Sequence, residues 1–150
     1  MRSAARGEEM PDCLVSLDRL EGSRAIVQRD GHWQIGPLAS HAAIADRLGS
    51  TSPLHALASA ALNSANPGVR RLATIGGNLA TAEFASPDIL TALLALDASV
   101  SLQDRQGERS IPIEEFVAMR PLPRGTVVTG IAVPDRNSAS SHARLTLRQA

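Results

Sequence analysis

The stretch Thr74-Ile75-Gly76-Gly77-Asn78 places a hydroxyl, two adjacent glycines and a carboxamide within five residues. A glycine lacks a Cβ, so its backbone reaches angles closed to other residues and its N–H can approach an anion closely. The Thr74 hydroxyl and the Asn78 amide are donors of the kind a diphosphate accepts. The same five residues would equally make a tight turn with a capped end, and a glycine pair alone does not choose between the two. Asp88 is the second group of interest. It sits in Ser86-Pro87-Asp88, which reads as a helix start, where a carboxylate stabilises the helix dipole by about 0.3–1 kcal/mol. A carboxylate can also accept hydrogen bonds from a ribose diol, as acidic residues do in dinucleotide-binding folds. Here too both readings stand.

Other reactive constellations are missing from the sequence. His32, His41, His55 and His142 are scattered without the paired spacing of a metal site. His41 and His55 fall near helix starts and read as surface or partly buried residues. The pair Glu114-Glu115 follows a proline and reads as a solvated turn, because neighbouring residues do not face one another on a helix. Cys13 is the single cysteine, so it has no internal partner for a disulfide and cannot hold a metal cluster alone. Within Cys13-Leu-Val-Ser-Leu17 it reads as a small buried hydrophobe. Walker A, GxGxxG, GxSxG and kinase signatures are absent.

Several elements can position these residues. Cys13–Leu17 and Ala25–Arg29 are strand candidates, and Asp30-Gly31 offers a type I′ turn into His32–Gly36. Ser40 can cap a short helix with Ala43, Ile44 and Leu48 on its apolar face and Gly49 as its stop. Ser52-Pro53 opens a second helix in which Leu54, Leu57, Ala58, Ala61, Leu62 and Ala65 follow the helical rhythm, ended by Asn66-Pro67-Gly68. A short strand over Leu72–Ile75 then runs into the glycine pair. Asp88 begins a third helix with Ile89, Leu90, Leu93, Leu94 and Leu96 apolar. Val100–Gln103 and Arg109–Ile111 form a second hairpin across Gln106-Gly107. Val127–Val133 is a further strand closed by Pro134, and Ala143–Arg148 is the last candidate. Helices interspersed with hairpins predict an α+β domain.

Composition narrows the function. Fifteen basic and fifteen acidic residues cancel without a run of one sign, so the electrostatic footprint of a nucleic-acid or anionic-membrane binder is lacking. No apolar run approaches the roughly 20 residues that span a bilayer, and Met1 to Glu9 lead into no apolar h-region. A cytoplasmic protein is expected. Its 150 residues suit one domain. Trp33, Phe84 and Phe116 are the whole aromatic set, so Leu, Ala, Ile and Val must fill the core.

In order, the pieces resemble a specific family. The run Val69-Arg70-Arg71-Leu72-Ala73-Thr74-Ile75-Gly76-Gly77-Asn78-Leu79-Ala80-Thr81-Ala82, followed by Asp88 and by Leu93-Leu94-Ala95-Leu96-Asp97-Ala98, is similar to the FAD-binding subunits of molybdopterin-dependent dehydrogenases, the xanthine and carbon monoxide dehydrogenase group. Leu14 to Leu17, Ile35-Gly36-Pro37, Gly107 to Phe116, Val127 to Pro134 and Arg144 to Arg148 extend the resemblance over nearly the whole chain. It implies an α+β flavin domain with FAD lying between two subdomains. It also implies that Thr74, Ile75, Gly76, Gly77 and Asn78 line the diphosphate and nearby parts of FAD, and that Asp88 approaches the sugar or adenosine side. A hydrophobic contact near the flavin falls at Val128 and a basic position at Arg144.

The chain departs from the family pattern at three places. The loop after Ala82 reads Glu83-Phe84 where Ser-Pro is usual, and Gly68 stands where Gln often precedes the Val-Arg pair. The family's first phosphate loop, of Ala-Gly-Gly-Thr type, and its small C-terminal domain have no counterpart, so residues 1–150 are expected to form a single partial FAD-binding domain that holds FAD weakly or not at all by itself. The resemblance implies an electron-transfer subunit. Electrons would come from a molybdopterin large subunit through an iron–sulfur small subunit to FAD, and leave to NAD, oxygen or another acceptor. The flavin carries out the redox chemistry while protein groups position it, so no catalytic residue is assigned. The rival reading is a flavin-free interaction module that keeps the fold.

Overall fold

A computed structural model of the chain describes residues 13–49, 52–81, 88–136 and 138–143. Strands β1 (Ile26–Arg29), β2 (His32–Ile35), β3 (Ser99–Asp104), β4 (Gly107–Pro112) and β5 (Val127–Pro134) form one antiparallel sheet in the order β1-β2-β5-β3-β4. Asp30 and Gly31 close the first hairpin with φ of 51° and 72°, the paired positive angles that a two-residue type I′ turn requires. Gly107, at φ 126°, opens the return strand of the second hairpin.

Among the described residues six α-helices accompany the sheet: α1 (His41–Leu48), α2 (His55–Asn63) behind a 3-10 turn (Ser52–Leu54), α3 (Pro67–Leu72), α4 (Ile75–Ala80), α5 (Asp88–Ala95) and α6 (Ile113–Ala118). The Ser40 hydroxyl caps α1 by accepting the Ala43 N–H. Trp33, Ile35, Val100, Leu102, Ile111, Val128, Ile131 and Val133 from the sheet share one core with Ile44, Leu48, Leu57, Ile75, Leu79, Ile89, Leu93 and Phe116 from the helices. Gln34, Gln103 and Ser110 alternate with them and are exposed, as expected for a sheet buried on one side. This is the expected α+β architecture. Among the described residues no helix is long and apolar enough to cross a membrane.

The structure corrects four local expectations. Cys13–Leu17 is not a strand: the segment is irregular, and Cys13 is exposed. Its apolar residues meet no partner strand, and Leu14 and Val15 remain about four-fifths exposed. α2 ends at Asn63, short of Ala65 and ahead of Asn66-Pro67, which instead starts α3, because the Asn66 side chain accepts the Val69 N–H and Pro67 occupies the first helical turn, where its missing N–H costs nothing. Glu114 and Glu115 are solvated as expected but lie in the first turn of α6 rather than in a turn. The strand expected over Leu72–Ile75 is absent: Leu72 ends α3, Thr74 makes a single bridge to Ser40, and α4 begins at Ile75. The candidate strand over Ala143–Arg148 lies outside the described residues from position 144 onward.

Candidate functional site

The Thr74–Asn78 segment is built by its contacts with the connection between β2 and α1. Ile75 N–H donates to the Ala39 carbonyl at 3.0 Å and Gly76 N–H to the Pro37 carbonyl at 2.8 Å, while His41 N–H returns a bond to Ala73 at 3.0 Å. Thr74 caps the short helix that follows, its hydroxyl accepting the Gly77 N–H at 3.2 Å and its carbonyl the Asn78 N–H at 2.9 Å. All four amides from Ile75 to Asn78 are therefore engaged within the chain. The two glycines serve different ends. A Cβ on Gly76 would stand 2.8 Å from the Pro37 oxygen and 2.9 Å from its Cβ, whereas one on Gly77 would meet only the Thr74 Oγ1, at 3.1 Å. Gly76 permits close packing of backbones, and Gly77 keeps a surface open.

That surface borders a cavity of about 250 Å³ lined by Leu17, Pro37, Leu38, Thr74, Gly76, Gly77, Ala80, Thr126, Val127 and Val128. A bulge brings Val128 there. Leu102 pairs with Val128 and Ser101 with Gly130, which leaves Thr129 as the extra residue of β5. The strand's alternation shifts at that point, so Val128 faces inward with Ile131 and Val133, while the Thr129 hydroxyl donates to Glu108 on the other side. None of the described lining residues is charged. Polarity comes from the hydroxyls of Thr74 and Thr126 and from the backbone, so the space suits an uncharged ring or polyol better than a bare dianion.

Of the eight residues singled out from the sequence, the structure brings Thr74, Gly76, Gly77 and Val128 together around this cavity. Ile75 is fully buried and belongs to the core. Asn78 is half-buried and does not line the cavity, and its Oδ1 is buried with no hydrogen-bond partner among the described residues. Asp88 occupies the first turn of α5 with its side chain one-fifth exposed, and it does not line this cavity. Arg144 lies outside the described residues.

Six lining residues were not singled out as site residues from the sequence. Leu17, Pro37, Leu38, Ala80, Thr126 and Val127 also border the cavity, and of these Val127 lies in a strand that left a periodic signal. Arg120 donates to the Thr81 carbonyl at the end of α4, tying the α6–β5 connection to the motif helix. His41, expected at the surface or partly buried, proves buried. Ser64 Oγ donates to the Ala61 carbonyl at 2.8 Å, so the 2.8 Å contact between His41 Nδ1 and Ser64 Oγ must carry its proton on the imidazole. Burial pushes the His41 imidazole below its ordinary range, and the nearby Thr74 backbone opposes this in part without an ordinary hydrogen bond to Nε2.

Residues 2–136 match the family described as the FAD binding domain in molybdopterin dehydrogenase. The chain belongs to this family. It is 39% identical over 107 residues to the 6-hydroxypseudooxynicotine dehydrogenase complex subunit alpha of Paenarthrobacter nicotinovorans, covering 71% of this chain and 36% of that subunit. It is 30% identical over 149 residues to the nicotinate dehydrogenase FAD-subunit of Eubacterium barkeri, covering 94% of this chain and 50% of the subunit. Its fold superposes on quinoline 2-oxidoreductase from Pseudomonas putida 86 with a TM-score of 0.75 at 24% identity, covering 89% of this chain and 47% of the other. For carbon monoxide dehydrogenase from Hydrogenophaga pseudoflava the TM-score is 0.70 at 27% identity, with 79% and 42% covered. The chain thus spans half or less of the length of these relatives. As a member of this FAD-binding family it takes FAD as its cofactor, and the site residues fit that group in part. A cavity with no charged residue among its described lining, rimmed by Thr74 and the exposed Gly77, can accept a ring or polyol segment of a dinucleotide. Its volume falls just below the roughly 300–1,000 Å³ of complete small-molecule sites.

Proposed function

We propose that Thr74, Gly76, Gly77 and Asn78, with Val128, hold one portion of FAD, and that Asp88 and Arg144 contact the cofactor farther along its length. The observation that carries this reading is the cavity itself, formed where the Thr-Ile-Gly-Gly-Asn segment meets the bulged start of β5. Gly77 keeps the approach open, because among the described residues, its own helix backbone aside, only the Thr74 Oγ1 stands within 4 Å of where its Cβ would lie. Val128 and Leu38 supply apolar walls that exclude water, and the Thr74 and Thr126 hydroxyls orient whatever polar edge faces them. The Asn78 carboxamide oxygen can accept a hydrogen bond from a cofactor hydroxyl, the partner it lacks among the described residues. Ile75 acts from within the core by anchoring α4.

The bound flavin supplies the redox chemistry of the domain. We infer that the domain works with an iron–sulfur small subunit and a molybdopterin large subunit, where FAD held by these residues would supply the redox chemistry that links them to NAD, oxygen or another acceptor. The names of the relatives support this, one being called a subunit of a dehydrogenase complex and another an FAD-subunit. None of the described lining residues is charged, which agrees with a role in holding a cofactor rather than in acid–base chemistry.

The test is an FAD titration of the full chain and of Gly77→Val, followed by visible absorbance and flavin fluorescence, with circular dichroism as the folding control. The parent is expected to bind FAD weakly, since the cavity holds only part of the cofactor, and the variant to fold and bind at least about tenfold less tightly, because a branched side chain would fill the open face. Equal binding by a folded Gly77→Val would refute the placement. A parent that takes up no flavin would favour the flavin-free interaction module.

A further inference from the structure

Between α2 and Thr74 the chain makes an excursion that core packing does not hold. Helix α3 has six residues and buries none of them, and so short a helix has little stability of its own. Val69 and Leu72 stand exposed on it. Bonds at its base hold it instead. Arg70 donates to the Leu62 carbonyl and, at 3.0 Å, to that of Ala65. His41 bonds both flanks. Its backbone N–H donates to the Ala73 carbonyl at 3.0 Å, just after α3, and its Nδ1 meets the Ser64 Oγ at 2.8 Å, just before it. Since the Ser64 hydroxyl gives its proton to the Ala61 carbonyl at 2.8 Å, the imidazole is the donor in that pair.

We propose that His41 is a positioning residue for the cofactor site, clasping the two ends of the α3 excursion so that Thr74 and the glycine pair after it stand at the cavity; this rests on the reading of Thr74–Asn78 as a contact of FAD. Thr74 lines the cavity and follows Ala73 directly, so whatever fixes Ala73 fixes the entry to the motif. A bridge between Ser40 and Thr74 adds to the backbone half of the clasp. The side-chain half is what the residue type supplies, because almost any residue here would bring a backbone N–H. The imidazole is also ill suited to filling space alone. It is 3% exposed, and its Nε2 is buried without a partner among the described residues, which lowers stability. A side chain that only packed there would do so better without that nitrogen. His41 does not line the cavity, so it acts through Ser64 and Ala73 and not on the cofactor.

The first measurement needs no FAD: hydrogen exchange of the full chain, read peptide by peptide by mass spectrometry, for the parent, His41→Leu, His41→Asn and Ser64→Ala. Asn keeps an amide N–H about where Nδ1 stands, and Leu keeps the bulk without a donor. Residues 65–80 are expected to exchange about three- to tenfold faster in His41→Leu and Ser64→Ala, the scale of one neutral hydrogen bond. His41→Asn should stay within about twofold of the parent, and the β3–β5 peptides should keep the parent rate throughout. No change over residues 65–80, or an equal rise in the β3–β5 peptides, would overturn the clasp. FAD titrations then test the link to the cofactor. His41→Leu and Ser64→Ala should bind about three- to tenfold more weakly than the parent, and His41→Asn within about twofold of it. If Gly77→Val weakens FAD binding and the His41 and Ser64 variants leave it unchanged, the positioning role is overturned. If exchange changes as expected but neither those variants nor Gly77→Val alter FAD binding, or the parent takes up none, the reading of Thr74–Asn78 as a cofactor contact fails and the clasp stands.

Discussion

Replacing Gly76 and Gly77 singly by alanine should separate stability from binding at adjacent positions. Both residues lie inside α4, where glycine is less favourable than alanine by about 0.5–1 kcal/mol, so helix propensity alone predicts that both substitutions stabilise. Packing reverses that for Gly76. Its new Cβ would lie 2.8 Å from the Pro37 oxygen and 2.9 Å from the Pro37 Cβ, distances at which the Pro37 backbone itself must shift. Such overpacking costs about 1–3 kcal/mol, and the shift also stretches the 2.8 Å Gly76 N–H bond to Pro37, worth about 0.5–1.5 kcal/mol. The net expectation is a loss of about 1–3 kcal/mol, or roughly 2–10 °C in Tm for a domain of this size. For Gly77 the sole neighbour is the Thr74 Oγ1 at 3.1 Å, the end of a side chain that can give by a few tenths of an ångström. Gly77→Ala should be neutral to about 1 kcal/mol more stable. Its methyl group nevertheless borders the cavity, so FAD should bind less tightly. Thermal melts followed by circular dichroism, with FAD titrations of the folded proteins, read both effects. A Gly76→Ala protein as stable as the parent, or a Gly77→Ala protein that loses more than about 1 kcal/mol, would refute the division of roles.

Two further perturbations follow from the same geometry. Asp88→Asn keeps the size and some capping capacity of the residue, so stability should change by less than about 1 kcal/mol, while FAD affinity should fall by about 1.5–3 kcal/mol if the carboxylate accepts sugar hydrogen bonds; lost stability with retained affinity would leave only the helix-start role. His41 is held by burial below its ordinary range, so below about pH 6.5 the unfolded chain takes up a proton that the folded chain resists. Stability from this group is therefore complete above that value and declines as pH falls from about 7 toward 5. Melting curves of a His41→Gln variant should lack that slope, and an unchanged slope would assign it to other groups.

Local sequence signals were sufficient where one or two residues set the outcome. Asp30-Gly31 tolerates the positive φ of its hairpin turn, Ser40 reaches the Ala43 N–H, and the apolar spacing of Ile89, Leu90 and Leu93 gives α5 its buried face. The five residues from Thr74 to Asn78 were legible as an unusual site and as the mark of a flavin family, but not as a helix. Their conformation depends on the Pro37 and Ala39 carbonyls, which the path of the β2–α1 connection delivers to the Gly76 and Ile75 amides. Only that contact distinguishes the two glycines, since one faces a backbone and the other an opening. Val128 reached the cavity through a bulge that depends on how β5 pairs with β3, and no period-two reading of Val127–Val133 contains it. Cys13–Leu17 shows the converse: a strand-like composition forms no strand when no neighbour pairs with it, because the hydrogen bonds of a sheet belong to two segments and a sequence pattern describes one.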